Sequence, residues 1–122
     1  ISAGDTVLMY GDLGSGKTTA TKYIADFFGV TENVTSPTFV IIKSYKTDQN
    51  LHGVAEVFHM DAYRLHGAPD AESVGLSEIF SNQESILIIE WPENIANILP
   101  NECKEIRFEH LGGNNRKISS NF

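Results

Sequence analysis

Gly11 to Thr18 read Gly-Asp-Leu-Gly-Ser-Gly-Lys-Thr and satisfy the pattern G-x-x-x-x-G-K-[ST] of a phosphate-binding loop. Glycines at 11, 14 and 16 allow positive φ angles, which turn successive backbone N–H groups toward an anion. Lys17 would then reach the β- and γ-oxygens of a nucleoside triphosphate, and the Thr18 hydroxyl would ligate magnesium. Hydrolysis needs more: a carboxylate near the metal and a group that orients the attacking nucleophile. Glu90, at the end of the apolar run Ile86 to Ile89, is the candidate magnesium acid, acting directly or through water. The plainer reading of Glu90 is a strand-end carboxylate facing solvent. Asp61, after Val57 to Met60, is the second candidate, for a magnesium-bound water or for activating the nucleophile. Its plainer reading is a turn cap. Ser36-Pro37-Thr38 falls in the loop after the first helix, where switch enzymes place a threonine that senses γ-phosphate and magnesium, the alternative being an ordinary turn before a strand. Trp91, directly after Glu90, either stacks near the site or fills the core beside Pro92, and composition favours the core. His59, His66 and His110 have no metal-ligand spacing among themselves and read as structural.

These residues need elements to hold them. Thr6 to Tyr10 is a short apolar, β-branched run of the kind found in buried parallel strands. From Lys17 to Phe28 the apolar residues Ala20, Tyr23, Ile24, Phe27 and Phe28 recur at helical spacing, and Gly29 supplies a stop. Strand, glycine loop and helix thus come in the order a phosphate loop requires. Thr38 to Tyr45 and Val54 to Met60 read as two strands of an antiparallel hairpin, joined by the polar turn around Asp48 to Gly53. Pro69-Asp70 opens a helical stretch that Gly75 divides into two short pieces. Ile86 to Ile89 reads as a central parallel strand presenting Glu90 at its C-terminal edge. Glu93 to Leu99 is a short helix or turn, Glu105 to His110 a strand, and Gly112 to Asn115 a turn into a closing strand at Arg116 to Ser119. The pattern predicts an α/β fold: a P-loop NTPase-like mixed β-sheet flanked by helices, as a single domain over residues 1–122.

Composition narrows the function classes. A chain of 122 residues has room for one core and not for a second catalytic domain. Its net charge of -7 argues against direct, unaided binding to a phosphate backbone. One cysteine, Cys103, excludes an internal disulfide framework and a cysteine-based zinc site. No apolar run is long enough to span a bilayer, and no secretory leader opens the chain, so a cytoplasmic location is expected. The chain opens on Ile1 and enters its first strand almost at once, which makes an upstream segment an expectation.

Taken together, Gly-Asp-Leu-Gly-Ser-Gly-Lys-Thr-Thr at 11–19, Ser-Pro-Thr-Phe at 36–39, His-Met-Asp-Ala-Tyr-Arg-Leu at 59–65, Gly-Leu-Ser-Glu at 75–78 and Ile-Glu-Trp-Pro-Glu at 89–93 resemble the TsaE (YjeE) family. The resemblance covers nearly the whole chain. It implies a small bacterial ATPase that uses ATP and Mg2+ and is required, with the proteins TsaB and TsaD, for threonylcarbamoyladenosine in tRNA. The tRNA would be reached indirectly, through the complex, and the chain alone would be a monomer without membrane contact. By position, the resemblance implies that Gly14, Ser15, Gly16, Lys17, Thr18 and Thr19 bind phosphate, that Thr18 and Glu90 bind magnesium, and that Thr38 is the switch threonine. Asp61 and Trp91 become functional residues on this reading, and Arg116 a nucleotide contact. The family carries a further segment before the first strand, and adenine contacts are expected there. Two other classes share the phosphate loop. A small-molecule kinase would need an acceptor-binding lid with several arginines, and a GTPase-like switch would need an Asn-Lys-x-Asp guanine signature. Tyr45-Lys46-Thr47-Asp48 is the nearest approach to that signature and lacks its first residue.

Overall fold

Strand β1 (Thr6–Tyr10) runs into helix α1 (Lys17–Phe27) through the glycine-rich loop, in the order expected of a phosphate-binding unit. The structure, a computed structural model, describes residues 1–12, 14–35, 41–48, 51–65 and 75–122. Beyond α1 come β2 (Ile42–Lys46), β3 (Glu56–Asp61), the short helix α2 (Leu76–Phe80), β4 (Ser85–Glu90), a 3-10 stretch at Pro92–Ile98, β5 (Lys104–Gly112) and β6 (Asn115–Ser120). The six strands form one mixed sheet in the order β2-β3-β4-β1-β5-β6. β3, β4, β1 and β5 run parallel to one another, and β2 and β6 close the two edges as antiparallel hairpin partners of β3 and β5. The expected α/β architecture with a mixed sheet is therefore what the chain adopts.

Strand alternation splits the core between the two faces of this sheet. Val7, Met9, Val57, Ile86 and Ile88 point to the face covered by Ala25 and Phe28. Leu8, Met60, Leu87 and Ile89 point to the other face, against Leu76 of α2 and Ile95 of the 3-10 stretch. With both faces covered, every residue of β4 is buried, which is why its sequence is an unbroken apolar run rather than an alternating one. Each of Ile86, Leu87, Ile88 and Ile89 is at most 2% exposed. Burial of a side chain of that size contributes about 1.5–3 kcal/mol, so Glu90 rides on a firmly held strand.

The side of α1 that packs is the expected one in part: Ala20 and Ile24 pack against the core and Phe28 is buried in it, but Tyr23 and Phe27 turn outward. Thr21 and Ala25 are buried with Phe28, whereas Tyr23 and Phe27 are 75% and 60% exposed. The buried Thr21 hydroxyl is satisfied by the Lys17 carbonyl at 2.9 Å. Phe27 instead stacks on His52, with ring centroids 4.7 Å apart and planes 8° from parallel.

The expected hairpin of residues 38–45 and 54–60 exists as β2 paired with β3, Tyr45 opposite Val57, and residues 36–40 lie outside the described ones. Gly75 takes a φ of 77° and precedes α2 directly, so the second of the two expected helical pieces is present, while the stretch from 66 to 74 lies outside the described residues. Asp5 pairs with Lys104 at 3.1 Å and accepts the Ser2 N–H at 2.8 Å, fastening the approach to β1 onto β5. Among the described residues no helix is long and apolar enough to cross a membrane.

Candidate functional site

The loop between β1 and α1 is held open by glycine geometry. Gly14 has a φ of 76°, a left-handed conformation that side chains rarely adopt. At Gly11 the constraint is also spatial, since a Cβ would stand 2.7 Å from Ser15 Oγ and 2.9 Å from the Phe108 carbonyl oxygen. Gly16 then caps α1 without any side-chain hydrogen bond, and no acid occupies the first turn. The first N–H groups of the helix are thereby left to an outside acceptor, at the end where the helix dipole favours negative charge. Ser15 Oγ is buried in the loop and has no protein partner.

Lys17 is 4% exposed and turns back over the loop. Its Nζ donates to the Gly11 carbonyl at 2.5 Å and sits 4.1 Å from the centroid of the Trp91 ring. Trp91 reaches that position from a left-handed backbone, φ 58° and ψ 47°, immediately after β4. A bulky residue held there is uncommon, and its ring packs at 5.1 Å from Tyr63. The composition reading of Trp91 as core filler holds in part, since the side chain packs against the cluster of Leu8, Leu87 and Ile89, but its ring also faces the lysine of the loop.

The two acids come from neighbouring parallel strands in register, Asp61 of β3 opposite Glu90 of β4. Both stand at the C-terminal ends of their strands, the edge where α/β sheets bind ligands. Glu90 is 5% exposed, and its Oε2 lies 2.6 Å from Nε2 of the fully buried His59. The solvent-facing alternative for Glu90 is thus excluded. His59, read from spacing as structural, touches the candidate acid, and the signal that points to it is period two: His59 and Asp61 share one face of β3. Asp61 Oδ1 accepts the Tyr63 N–H at 3.0 Å, so the turn-cap role is real and coexists with a place at the site. Asn94 Nδ2 ties this turn to the 3-10 stretch by donating to the Ala62 and Tyr63 carbonyls at 2.9 and 3.0 Å.

The loop, Lys17, Trp91 and the two acids border one cavity of about 670 Å³. Gly14, Ser15, Gly16, Lys17, Thr18 and Thr19 form its loop side, Asp61, Glu90 and Trp91 its acidic end, and Arg116 lies across from them. Arg116 of β6 reaches the loop from 102 positions away in the chain, its Nη2 lying 3.5 Å from the Gly14 carbonyl oxygen. Thr38 lies outside the described residues. Tyr23, Phe108 and Ile118 also line the cavity and were not among the expected site residues. Phe108 and Ile118 are opposite each other in the β5–β6 hairpin, and Ile118 shares a face with Arg116, so alternation along β6 is the signal that would have found them. The cavity lining thus combines hard oxygens and N–H donors with apolar and aromatic side chains.

Comparison with known proteins decides which family this arrangement belongs to. The family model described as "Threonylcarbamoyl adenosine biosynthesis protein TsaE" matches residues 1–118. The chain belongs to the TsaE family. It is 40% identical over 116 residues to the tRNA threonylcarbamoyladenosine biosynthesis protein TsaE of Bacillus subtilis, covering 95% of this chain and 68% of that relative. The TsaE of Treponema pallidum is 34% identical over 119 residues, covering 98% of this chain and 83% of its own. Among solved structures, the crystal structure of Bacillus subtilis YdiB superposes with a TM-score of 0.76 at 36% identity, over 97% of this chain and 68% of that one. The resemblance read from the loop, the Asp-Ala-Tyr-Arg-Leu segment and Glu-Trp-Pro is a family relationship, and the mixed six-stranded sheet is shared with a solved relative.

Proposed function

We propose that the chain binds Mg2+-ATP in this cavity and hydrolyses it in support of threonylcarbamoyladenosine formation in tRNA, acting with TsaB and TsaD. The observation that carries the reading is the convergence of Lys17, Thr18, Asp61 and Glu90 on one cavity, in a chain whose curated relatives are named for that biosynthesis. The donor set fits magnesium. A hydroxyl and one carboxylate, with no group of three or more His, Cys, Asp or Glu among the described residues, suit an ion that keeps several waters and takes its remaining ligands from phosphate oxygens. Thr18 and Glu90 would hold the ion, which when bound would supply positive charge against the charge that develops on the phosphate.

The chain's own residues supply the rest. The loop N–H groups and Ser15 Oγ donate to phosphate oxygens, and Thr19 adds a further contact. Lys17 exchanges the Gly11 carbonyl and the Trp91 face for the β- and γ-oxygens. Asp61 accepts a hydrogen from the attacking water and orients it, while Thr38 senses the γ-phosphate. Arg116 with Tyr23, Phe108 and Ile118 offers a cationic and apolar wall to the sugar and base. A chain with a net charge of -7 would meet tRNA through its partners rather than directly.

The test is steady-state ATP hydrolysis by the purified chain, alone and then with TsaB and TsaD, with Lys17→Ala and Thr18→Ala alongside. Slow turnover alone and faster turnover with partners is expected. Each variant should lose about 10²-fold or more, the scale of a charge or metal ligand aimed at the transition state. Wild-type nucleotide affinity and turnover in both variants would overturn the phosphate-loop reading.

A further inference from the structure

His59 does not border the cavity, yet it makes the shortest contact to an acid that does. Its Nε2 is 2.6 Å from Glu90 Oε2, with side-chain exposures of 0% and 6%. A carboxylate accepts and does not donate, so the hydrogen in this contact belongs to the ring. Among the described residues, no other side chain hydrogen-bonds the Glu90 carboxylate. The opposite ring nitrogen, Nδ1, is buried without any partner. An apolar side chain in the same space would remove the unpaired Nδ1 but would strip the buried Glu90 Oε2 of its partner, so the histidine is kept for the contact with Glu90 rather than for packing.

We propose that His59 is a positioning residue for Glu90. By holding Oε2 it fixes the carboxylate rotamer and leaves the other oxygen as the one available to a divalent cation in the cavity. Register makes this possible: His59 lies two residues before Asp61 on the same face of β3, and Asp61 stands opposite Glu90. Hydrogen-bond partners of metal-ligating groups set ligand orientation, and their loss typically costs about 10–100-fold in metal affinity or activity. The role assigned to His59 rests on the reading that Glu90 serves a magnesium-nucleotide site.

The experiment is a titration of Mg2+ into the full chain with a fluorescent ATP analogue, for the wild type, His59→Leu, His59→Gln and His59→Asn, each checked by thermal unfolding. Gln places its amide nitrogen about where Nε2 stands and can still donate to Oε2, whereas Leu cannot donate and Asn is too short. His59→Leu and His59→Asn should need about 10–100-fold more Mg2+ for half-maximal binding, and His59→Gln should recover most of the wild-type response. Analogue binding in EDTA should be alike in all four proteins, because the loop contacts are untouched. Unchanged Mg2+ dependence in His59→Leu overturns the proposal. If His59→Leu fails to fold, Gln and Asn decide it, and equal Mg2+ dependence in those two overturns it as well. A wild-type chain that binds the analogue equally with and without Mg2+ removes the metal role of Glu90 and the proposal with it. Failure of the wild type to bind the analogue at all separately overturns the nucleotide reading.

Discussion

At the candidate acids, geometry separates charge from shape. Glu90 is buried and held by His59, so Glu90→Gln keeps its volume and one acceptor oxygen and removes only the negative charge. Hydrolysis should fall by about 10²-fold or more, while binding of an ATP analogue stays measurable, because the charge acts on metal and transition state more than on the ground-state nucleotide. Single-turnover hydrolysis and equilibrium binding measured on the same preparation distinguish the two effects. Asp61→Asn is the informative companion. The amide oxygen can still accept the Tyr63 N–H, so the turn survives, and any loss of turnover reports on the carboxylate's part in orienting water. Wild-type hydrolysis in Asp61→Asn would reduce Asp61 to a cap and leave Glu90 to carry the chemistry.

Among the elements, β4 and β6 differ in what they contribute. Ile88 of β4 is fully buried between α1 and the sheet, and Ile88→Ala should cost about 2–5 kcal/mol in urea unfolding, transfer and cavity terms together. Ile118 of β6 is 63% exposed but lines the cavity, so Ile118→Ala should change stability by less than about 0.5 kcal/mol while weakening nucleotide binding. Loss of stability without loss of affinity in Ile118→Ala would remove the hairpin from the site. The same contrast explains what could be read in advance. β1, the loop, α1 and β4 were legible because their signals are local: a glycine pattern, a helical period, an unbroken apolar run. The packed side of α1 was read only in part, because Thr21 and Ala25 carry little hydrophobic weight in a sequence although both are buried beside Phe28. The bond between His59 and Glu90 was hidden because it depends on strand register, a long-range property. The hairpin's apolar contribution was missed for a related reason, since which end of the cavity β6 reaches depends on where the sheet carries it.

For the whole molecule, the proposed hydrolysis would be suited to changing a partner's state, since among the described residues nothing resembles an acceptor site. A γ-phosphate contact from Thr38 would favour one loop conformation and so bias partner binding by nucleotide state, with the partner altering nucleotide affinity by the same factor in return. Binding to a TsaB–TsaD complex should therefore differ between ATP analogue, ADP and no nucleotide, and Thr38→Ala should flatten the difference. Equal affinity in all three states, unaffected by the substitution, would mean that this loop is no switch. The strand order has a separate consequence, in the time order of assembly. β1 lies between β4 and β5, so neither of its edges can be paired until residues 85–90 and 104–112 have been made. The β2–β3 and β5–β6 hairpins, by contrast, join strands close in sequence and can form as soon as each is complete. Parallel pairing across such separations is slow, and unpaired edges are open to wrong partners meanwhile. The glycine-rich loop thus leaves the ribosome well before the strands that flank β1, and the candidate acid Glu90 joins it only with the strand that gives β1 its first neighbour.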